Sequence, residues 1–280
     1  MAEIVGVVAT SHAPGATGWL DKCEPQVQRN LLEGFRELGR IVRGTKPDAI
    51  IGLSNDHILN LPVDNTPDFC VGTADLWHGP GDFFKDWLKI PDYRVKGHRD
   101  LARTLVNQAD RRGIKFAYSE TLQFDDNFSV PLYYLTPDYD IPLVPIHMNC
   151  IMPPLPTPER CFETGRAIAD IVRNHRPANE RILIMGTGGL AHDPGGPKYF
   201  QVNPEFDRWF LDLLGTGNCA RVLGEATIDR MIEAGDGGTT ELLAWIAAMG
   251  AAGDRPARTI FYEAPPQLRC GMGAVVWHPA

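Results

Sequence analysis

The sequence predicts an α/β fold: a single layered domain with a central, mostly buried sheet flanked by helices and the active site at the strand ends. Three observations carry that prediction. Short apolar runs alternate with segments of helical spacing along most of the 280 residues. The runs are continuous and brief, as in strands buried in a sheet. His12, His57 and His192 each stand just past such a run, where ligands collect in sheets of this kind.

The elements follow in order. Residues 4–10 are an apolar run ending in Ser-His-Ala-Pro-Gly, a strand passing into a loop. Over 24–43, Val27, Leu31, Leu32, Phe35, Leu38, Ile41 and Val42 keep helical spacing above a long polar face. Residues 48–54 return to a buried strand. Residues 58–97, rich in proline, glycine and aspartate, show little periodicity and read as a loop-rich insertion that forms part of the pocket wall. Helical spacing resumes over 98–113, with strands expected at 114–118 and 141–147. A helix over 158–175 leads to a strand over 181–186. Asn-Pro-Glu at 203–205 starts another helix, with proline in its first turn. An apolar helix over 239–249 and strands over 258–263 and 274–277 close the chain. No repeat, low-complexity tract or linker divides it, so residues 1–280 are read as one catalytic domain.

Composition narrows the function. A net charge of −8 with no basic stripe argues against nucleic-acid binding. No apolar stretch is long enough to cross a bilayer, and the N-terminus lacks the pattern of a secretory signal. Six scattered cysteines without a Cys-x-x-Cys pair suggest reduced core residues. The expectation is a soluble, cytoplasmic protein.

Four segments carry chemistry. Val-Val-Ala-Thr-Ser-His at 7–12, Ile-Ile-Gly-Leu-Ser-Asn-Asp-His at 50–57 and Gly-Asp-Gly-Gly-Thr-Thr-Glu at 235–241 each end on a metal-capable side chain. Two imidazoles and one carboxylate can hold one face of a ferrous ion and leave the other open to substrate and oxygen. Taken singly, each has a plainer reading: His12 and His57 as hydrogen-bonded loop residues, Glu241 as favourable charge in a helix's first turn. Asp56 stands open as a ligand in place of His57, a supporting partner or a loop residue. Gly-Thr-Gly-Gly-Leu-Ala-His at 186–192 is not a phosphate loop, because the lysine and the Ser/Thr that follows it are missing. Its glycines instead clear space beside His192, whose imidazole can take and return a proton near neutral pH. His147, on a strand end, is an outside candidate. Trp19, Trp77 and Trp87 read as core or loop anchors, with one available to line a pocket.

In this order and spacing the four segments resemble the class III extradiol ring-cleaving dioxygenases, the superfamily of the protocatechuate 4,5-dioxygenase β subunit. Gly-Thr-Gly-Gly-Leu-Ala-His looks like that family's Gly-Ser-Gly-Gly-x-Ser-His, and Gly-Asp-Gly-Gly-Thr-Thr-Glu-Leu-Leu-Ala-Trp like the segment bearing its glutamate ligand. The resemblance implies an Fe(II) cofactor on His12, His57 and Glu241, with His192 as the acid–base residue. It implies a catecholic, gallate-like, aminophenol or hydroxypyridone substrate cleaved with O2 in aromatic degradation. A homo-oligomer, with or without a small partner subunit, is also expected. One departure stands out. Many members carry a histidine in an Asp-His-Gly-like segment before Val-Pro-Leu; this chain reads Asp125-Asp126-Asn127-Phe128-Ser129-Val130-Pro131-Leu132, and Asn127 is taken to occupy that place, orienting substrate without shuttling a proton. Asp126, Ser11 and Asp56 complete the expected substrate contacts. The rival readings are a zinc-dependent hydrolase on the same ligands and a non-catalytic binding relative.

Overall fold

A computed structural model describes residues 1–277. The apolar runs become an eight-stranded mixed sheet. Along the chain, β1 (Glu3–Thr10) leads through a short turn of helix, α1 (Gly15–Gly18), to α2 (Pro25–Gly44) and then to β2 (Ala49–Asn55). Residues 58–97 are more ordered than their composition predicts. They hold β3 (Phe69–Gly72), a strand of the main sheet, and a separate ribbon of β4 (Leu76–Gly79) and β5 (Tyr93–Lys96) that brackets α3 (Lys85–Leu88). These strands are four residues each, too short for alternation to stand out against the surrounding Pro and Gly.

Next come α4 (Arg99–Ala109), β6 (Ala117–Ser119), α5 (Asp126–Leu135) and β7 (Leu143–Met148). Helix α5 is absent from the sequence reading: it is buried nearly all round, so no polar stripe marks it, and Pro131 lies inside it. The remainder is α6 (Pro158–His175), β8 (Arg181–Thr187), α7 (Pro204–Gly215), α8 (Cys219–Glu225), α9 (Ile228–Ala234), α10 (Leu242–Ala252), β9 (Arg258–Glu263) and β10 (Met272–Trp277).

Strand order is β6-β3-β7-β2-β8-β1-β10-β9. The four central strands β7, β2, β8 and β1 run parallel, while β10 and β9 close one side antiparallel. Both sheet faces are covered. One core gathers side chains of α4, α6, α7 and α10; the other gathers those of α2 and α5. The carboxyl ends of β2, β8 and β1 therefore lie side by side, and the loops leaving them carry His57, His192 and His12.

Helix α10 is buried along its full length, between the sheet and α6. Its approach leaves no room for side chains. A Cβ on Gly165 of α6 would lie 1.7 Å from the Ala247 carbonyl oxygen, and one on Gly186 of β8 would lie 2.6 Å from that of Ala244. Among the described residues, no helix is long and apolar enough to cross a membrane.

Candidate active site

Beyond the ends of β1, β2 and β8 lies a cavity of about 270 Å³. It is lined by His12, His57, His192, Asp125, Asp126 and Glu241 at one end, and by Trp19, Phe84, Trp87, Tyr199, Leu268, Arg269 and Cys270 elsewhere. The four residues expected to meet do so. Glu241 Oε2 is 3.1 Å from His12 Nε2, Glu241 Oε1 is 3.0 Å from His57 Nε2, and His192 Nε2 lies 3.6 Å from Oε1. Asp126 joins them: it, His12 and His57 each offer a ligand atom within 4.8 Å of the others.

Each donor is aimed by its neighbours. The single hydroxyl proton of Thr187 goes to the Asn127 carbonyl at 3.0 Å, so Thr187 Oγ1 must accept from His12 Nδ1–H at 2.6 Å. That fixes the tautomer, leaving a bare lone pair on His12 Nε2. This atom is buried and makes no hydrogen bond despite facing Glu241. His57 repeats the arrangement. Its Nδ1–H donates to Asp125 Oδ2 at 3.0 Å, and its Nε2 turns to Glu241. Asp125 is itself held as the N-cap of α5, its Oδ1 accepting from Asn127 N–H at 2.8 Å. The Glu241 carboxylate is oriented by Gly189 N–H at 2.6 Å and by Asn55 Nδ2 at 3.2 Å.

Two imidazole lone pairs directed at one buried carboxylate repel one another unless a cation lies among them. A divalent metal fits this donor set, and the partners behind each ring are those that orient metal-bound histidines. Without that cation, protons take its place. Burial opposes a charged His57, but the carboxylates of Asp125 and Asp126 and the hydrogen bonds to Asp125 and Glu241 outweigh it and hold its pKa well above the usual range. Burial pushes Glu241 up, yet His12 and His192 drive it well below an ordinary glutamate. Asp126, raised by burial against the pull of His57, sits at about 6.

His192 has a different setting. Its Nδ1–H donates to the Leu190 carbonyl at 2.8 Å, which leaves Nε2 facing the cavity. Thr239 bonds both its backbone N–H and its carbonyl at 3.2 Å. A Cβ on Gly189 would come within 2.3 Å of the ring, so the glycine is there to admit it.

Three expected substrate contacts are corrected. Asn127 does not reach the cavity: its amide donates to the Asn55 carbonyl at 3.1 Å and its side-chain oxygen accepts from Phe128 N–H at 2.7 Å. The neighbouring Asp126 faces the cavity instead. Consecutive helical residues point about 100° apart, so one residue decides which side chain enters. Ser11 bonds Gly271 and Gly273, tying the His12 loop to β10. Asp56 is turned away to His147 and to the Asn60 and Leu61 amides. His147 is fully buried with that carboxylate and does not line the cavity. Trp77 is core, while Trp19 and Trp87 line the cavity. Sequence reasoning missed Thr187 and Asp125, which aim the two rings, and Arg269 and Cys270. The Asp-Asp pair opening a helix was the one available cue, for Asp125.

The family model described as the catalytic LigB subunit of aromatic ring-opening dioxygenase matches residues 6–272. A 2,3-dihydroxyphenylpropionate/2,3-dihydroxicinnamic acid 1,2-dioxygenase of Photorhabdus laumondii is 31% identical over 208 residues, which are 74% of this chain and 62% of that protein's length. A protein of the same description from Cupriavidus necator is 26% identical over 316 residues, covering 96% of this chain and 97% of its own. The crystal structure of an uncharacterized protein, JW3007, from Escherichia coli K12 superposes with a TM-score of 0.62 at 18% identity, covering 97% and 99% of the two chains. At that identity the likeness concerns the fold alone.

Proposed function

The chain belongs to the family of the catalytic LigB subunit of aromatic ring-opening dioxygenases, and from that premise we propose that it cleaves the ring of an aromatic vicinal diol with O2, breaking the bond beside the diol. His12, His57 and Glu241 would hold ferrous iron, and His192 would be the acid–base residue. The observation that carries this reading is the convergence of two oriented imidazole lone pairs and one buried carboxylate, with a second kind of histidine beside them. Bound there, iron would supply the redox chemistry between ring and dioxygen, gathering both reactants on one centre.

The chain's own residues do the rest. His192, anchored through Nδ1–H to the Leu190 carbonyl with Nε2 facing the cavity, exchanges a phenolic proton with the substrate during the cycle. Asp125 and Thr187 keep the imidazoles turned toward the metal position throughout. Trp19, Phe84, Trp87 and Leu268 give the aromatic ring an apolar enclosure and exclude bulk water. Asp126 replaces Asn127 as the polar group of α5 within reach of substrate.

Six buried, free cysteines support a reducing, cytoplasmic setting. Phe83 and Phe200, both strongly exposed, support association into a homo-oligomer or with a small partner subunit, which sedimentation of the purified chain tests.

The deciding experiment is anaerobic loading with Fe(II) followed by oxygen uptake with catechols, gallates, aminophenols and hydroxypyridones. Stoichiometric uptake with a yellow ring-fission product on at least one of them is expected. Metal bound without uptake on any of them overturns the proposal. Activity with zinc on a hydrolysable substrate would instead favour a hydrolase.

A further inference from the structure

The cavity is electrically lopsided. Asp125, Asp126 and Glu241 crowd the end where the three histidines meet, and Arg269 is the only lysine or arginine in the lining. Arg269 follows the turn Pro266–Leu268, its backbone N–H bonded to the Pro266 carbonyl at 3.1 Å. Its φ is 60°, in the left-handed region, where an L side chain is uncommon. Among the described non-glycine residues with positive φ, it alone lines the cavity.

The guanidinium is supported but not neutralised. Its Cζ lies over two aromatic rings, 4.5 Å from the Tyr199 ring centroid and 4.8 Å from that of Phe200. One nitrogen donates to the Tyr199 hydroxyl. Among the described residues it forms no ion pair, so most of its five N–H donors have no protein acceptor. The nearby Lys198 is engaged with the Glu233 carbonyl. Two anchors hold the charge at a set place relative to His12 and its companions: Trp19 Nε1 bonds the Gln267 carbonyl at 2.9 Å, and Ser11, next to His12, bonds both Gly271 and Gly273. An arginine held over aromatic rings with most of its donors unused is suited to a planar carboxylate.

We propose that Arg269 is the specificity-determining residue of the cavity, receiving a carboxylate carried by the ring substrate, so that the preferred substrates are aromatic vicinal diols with an anionic side arm. The inference rests on the diol-cleavage reading and deepens it. The diol occupies the His/Glu end. An anionic arm pairs with Arg269 while the diol is held at the His/Glu end, so the two contacts together fix which way the ring enters.

The test compares three probes on iron-loaded wild type, Arg269→Gln and Arg269→Lys: 3-(2,3-dihydroxyphenyl)propanoate, its primary amide and 3-propylcatechol. In the wild type kcat/KM for the carboxylate exceeds that for the amide by about 10- to 100-fold, as expected for charge-assisted hydrogen bonds. In Arg269→Gln the ratio collapses toward unity, chiefly through KM, and Arg269→Lys restores part of it. Calorimetry of metal-free protein with 3-phenylpropanoate, which lacks the diol, gives a second readout: its affinity falls in Arg269→Gln. A ratio unchanged by the substitution, or equal losses on all three probes, overturns the assignment, because a purely structural arginine affects charged and neutral ligands alike. Absence of ring cleavage on every diol, with 3-phenylpropanoate binding still dependent on Arg269, would sink the dioxygenase reading and leave the carboxylate subsite standing.

Discussion

Thr187→Val removes the hydroxyl that fixes the His12 tautomer while nearly preserving side-chain volume. Two bonds go: His12 Nδ1–H loses its acceptor at 2.6 Å and the Asn127 carbonyl loses its donor at 3.0 Å. The Ser54 hydroxyl, 3.3 Å from the Thr187 carbonyl and 3.5 Å from that of Asn127, can turn its one proton to the latter, so the lasting loss falls on the buried imidazole. An unsatisfied buried donor costs about 1–3 kcal/mol. The ring can avoid that cost by moving its proton to Nε2, which then donates to Glu241 Oε2, now 3.1 Å away. Apo stability is then nearly retained, but a metal must displace a hydrogen-bonded proton to bind. Losses of this kind behind a ligating histidine run to about 10- to 100-fold in affinity. The assay is anaerobic competition for Fe(II) or Co(II) against a chelator, with thermal melts of the metal-free protein alongside. Thr187→Ser keeps the hydroxyl and should bind like wild type. Wild-type affinity in Thr187→Val, or an equal loss in Thr187→Ser, would refute the tautomer argument.

Three further outcomes are expected. His12→Ala and Glu241→Ala lose bound metal and activity together, whereas His192→Ala keeps its metal by elemental analysis and loses turnover; full activity in His192→Ala would remove its assigned role. Gly165→Ala places a Cβ 1.7 Å from the Ala247 carbonyl oxygen. Because that obstacle is backbone, melting should show destabilisation of about 3 kcal/mol, and an unchanged Tm would contradict the packing of α10 against α6. Asp207, raised from 3.8 to about 6 by burial despite its bonds to Ala191 N–H and Tyr262 O–H, binds its proton more tightly folded than unfolded. Its stabilising contribution is therefore complete below pH 3.8 and is lost as pH rises through 6. The stability of wild type relative to Asp207→Asn should fall across that window by at most about 3 kcal/mol, and denaturant titrations showing no pH-dependent difference would reject it.

What was legible in the sequence was whatever rests on runs of one character. The central strands, α2, α6 and the closing hairpin show as apolar runs or stripes, and strand-end histidines follow from the α/β layout. Helix α5 was invisible because burial on all sides erases the stripe. The choice between Asp126 and Asn127 needed the helix's rotational phase, which no spacing rule supplies for a helix not recognised. Ser11 and Asp56 look like pocket residues by position, yet backbone groups nearer to hand claim their polar atoms first. Arg269 and Thr187 act through partners distant in sequence: Thr187 meets His12 175 residues away, and no local pattern marks such a pair.

The glycines that let α10 approach β8 and α6 main chain to main chain have a consequence for Glu241, which immediately precedes that helix. Its depth is set by the thickness of peptide planes, a length that ordinary exchanges among Leu, Ile, Val and Met elsewhere in the interior leave untouched. The carboxylate's address is thus insulated from drift in the surrounding hydrophobic residues. Adding a single methyl group along that seam, by contrast, would shift the Glu241 carboxylate itself.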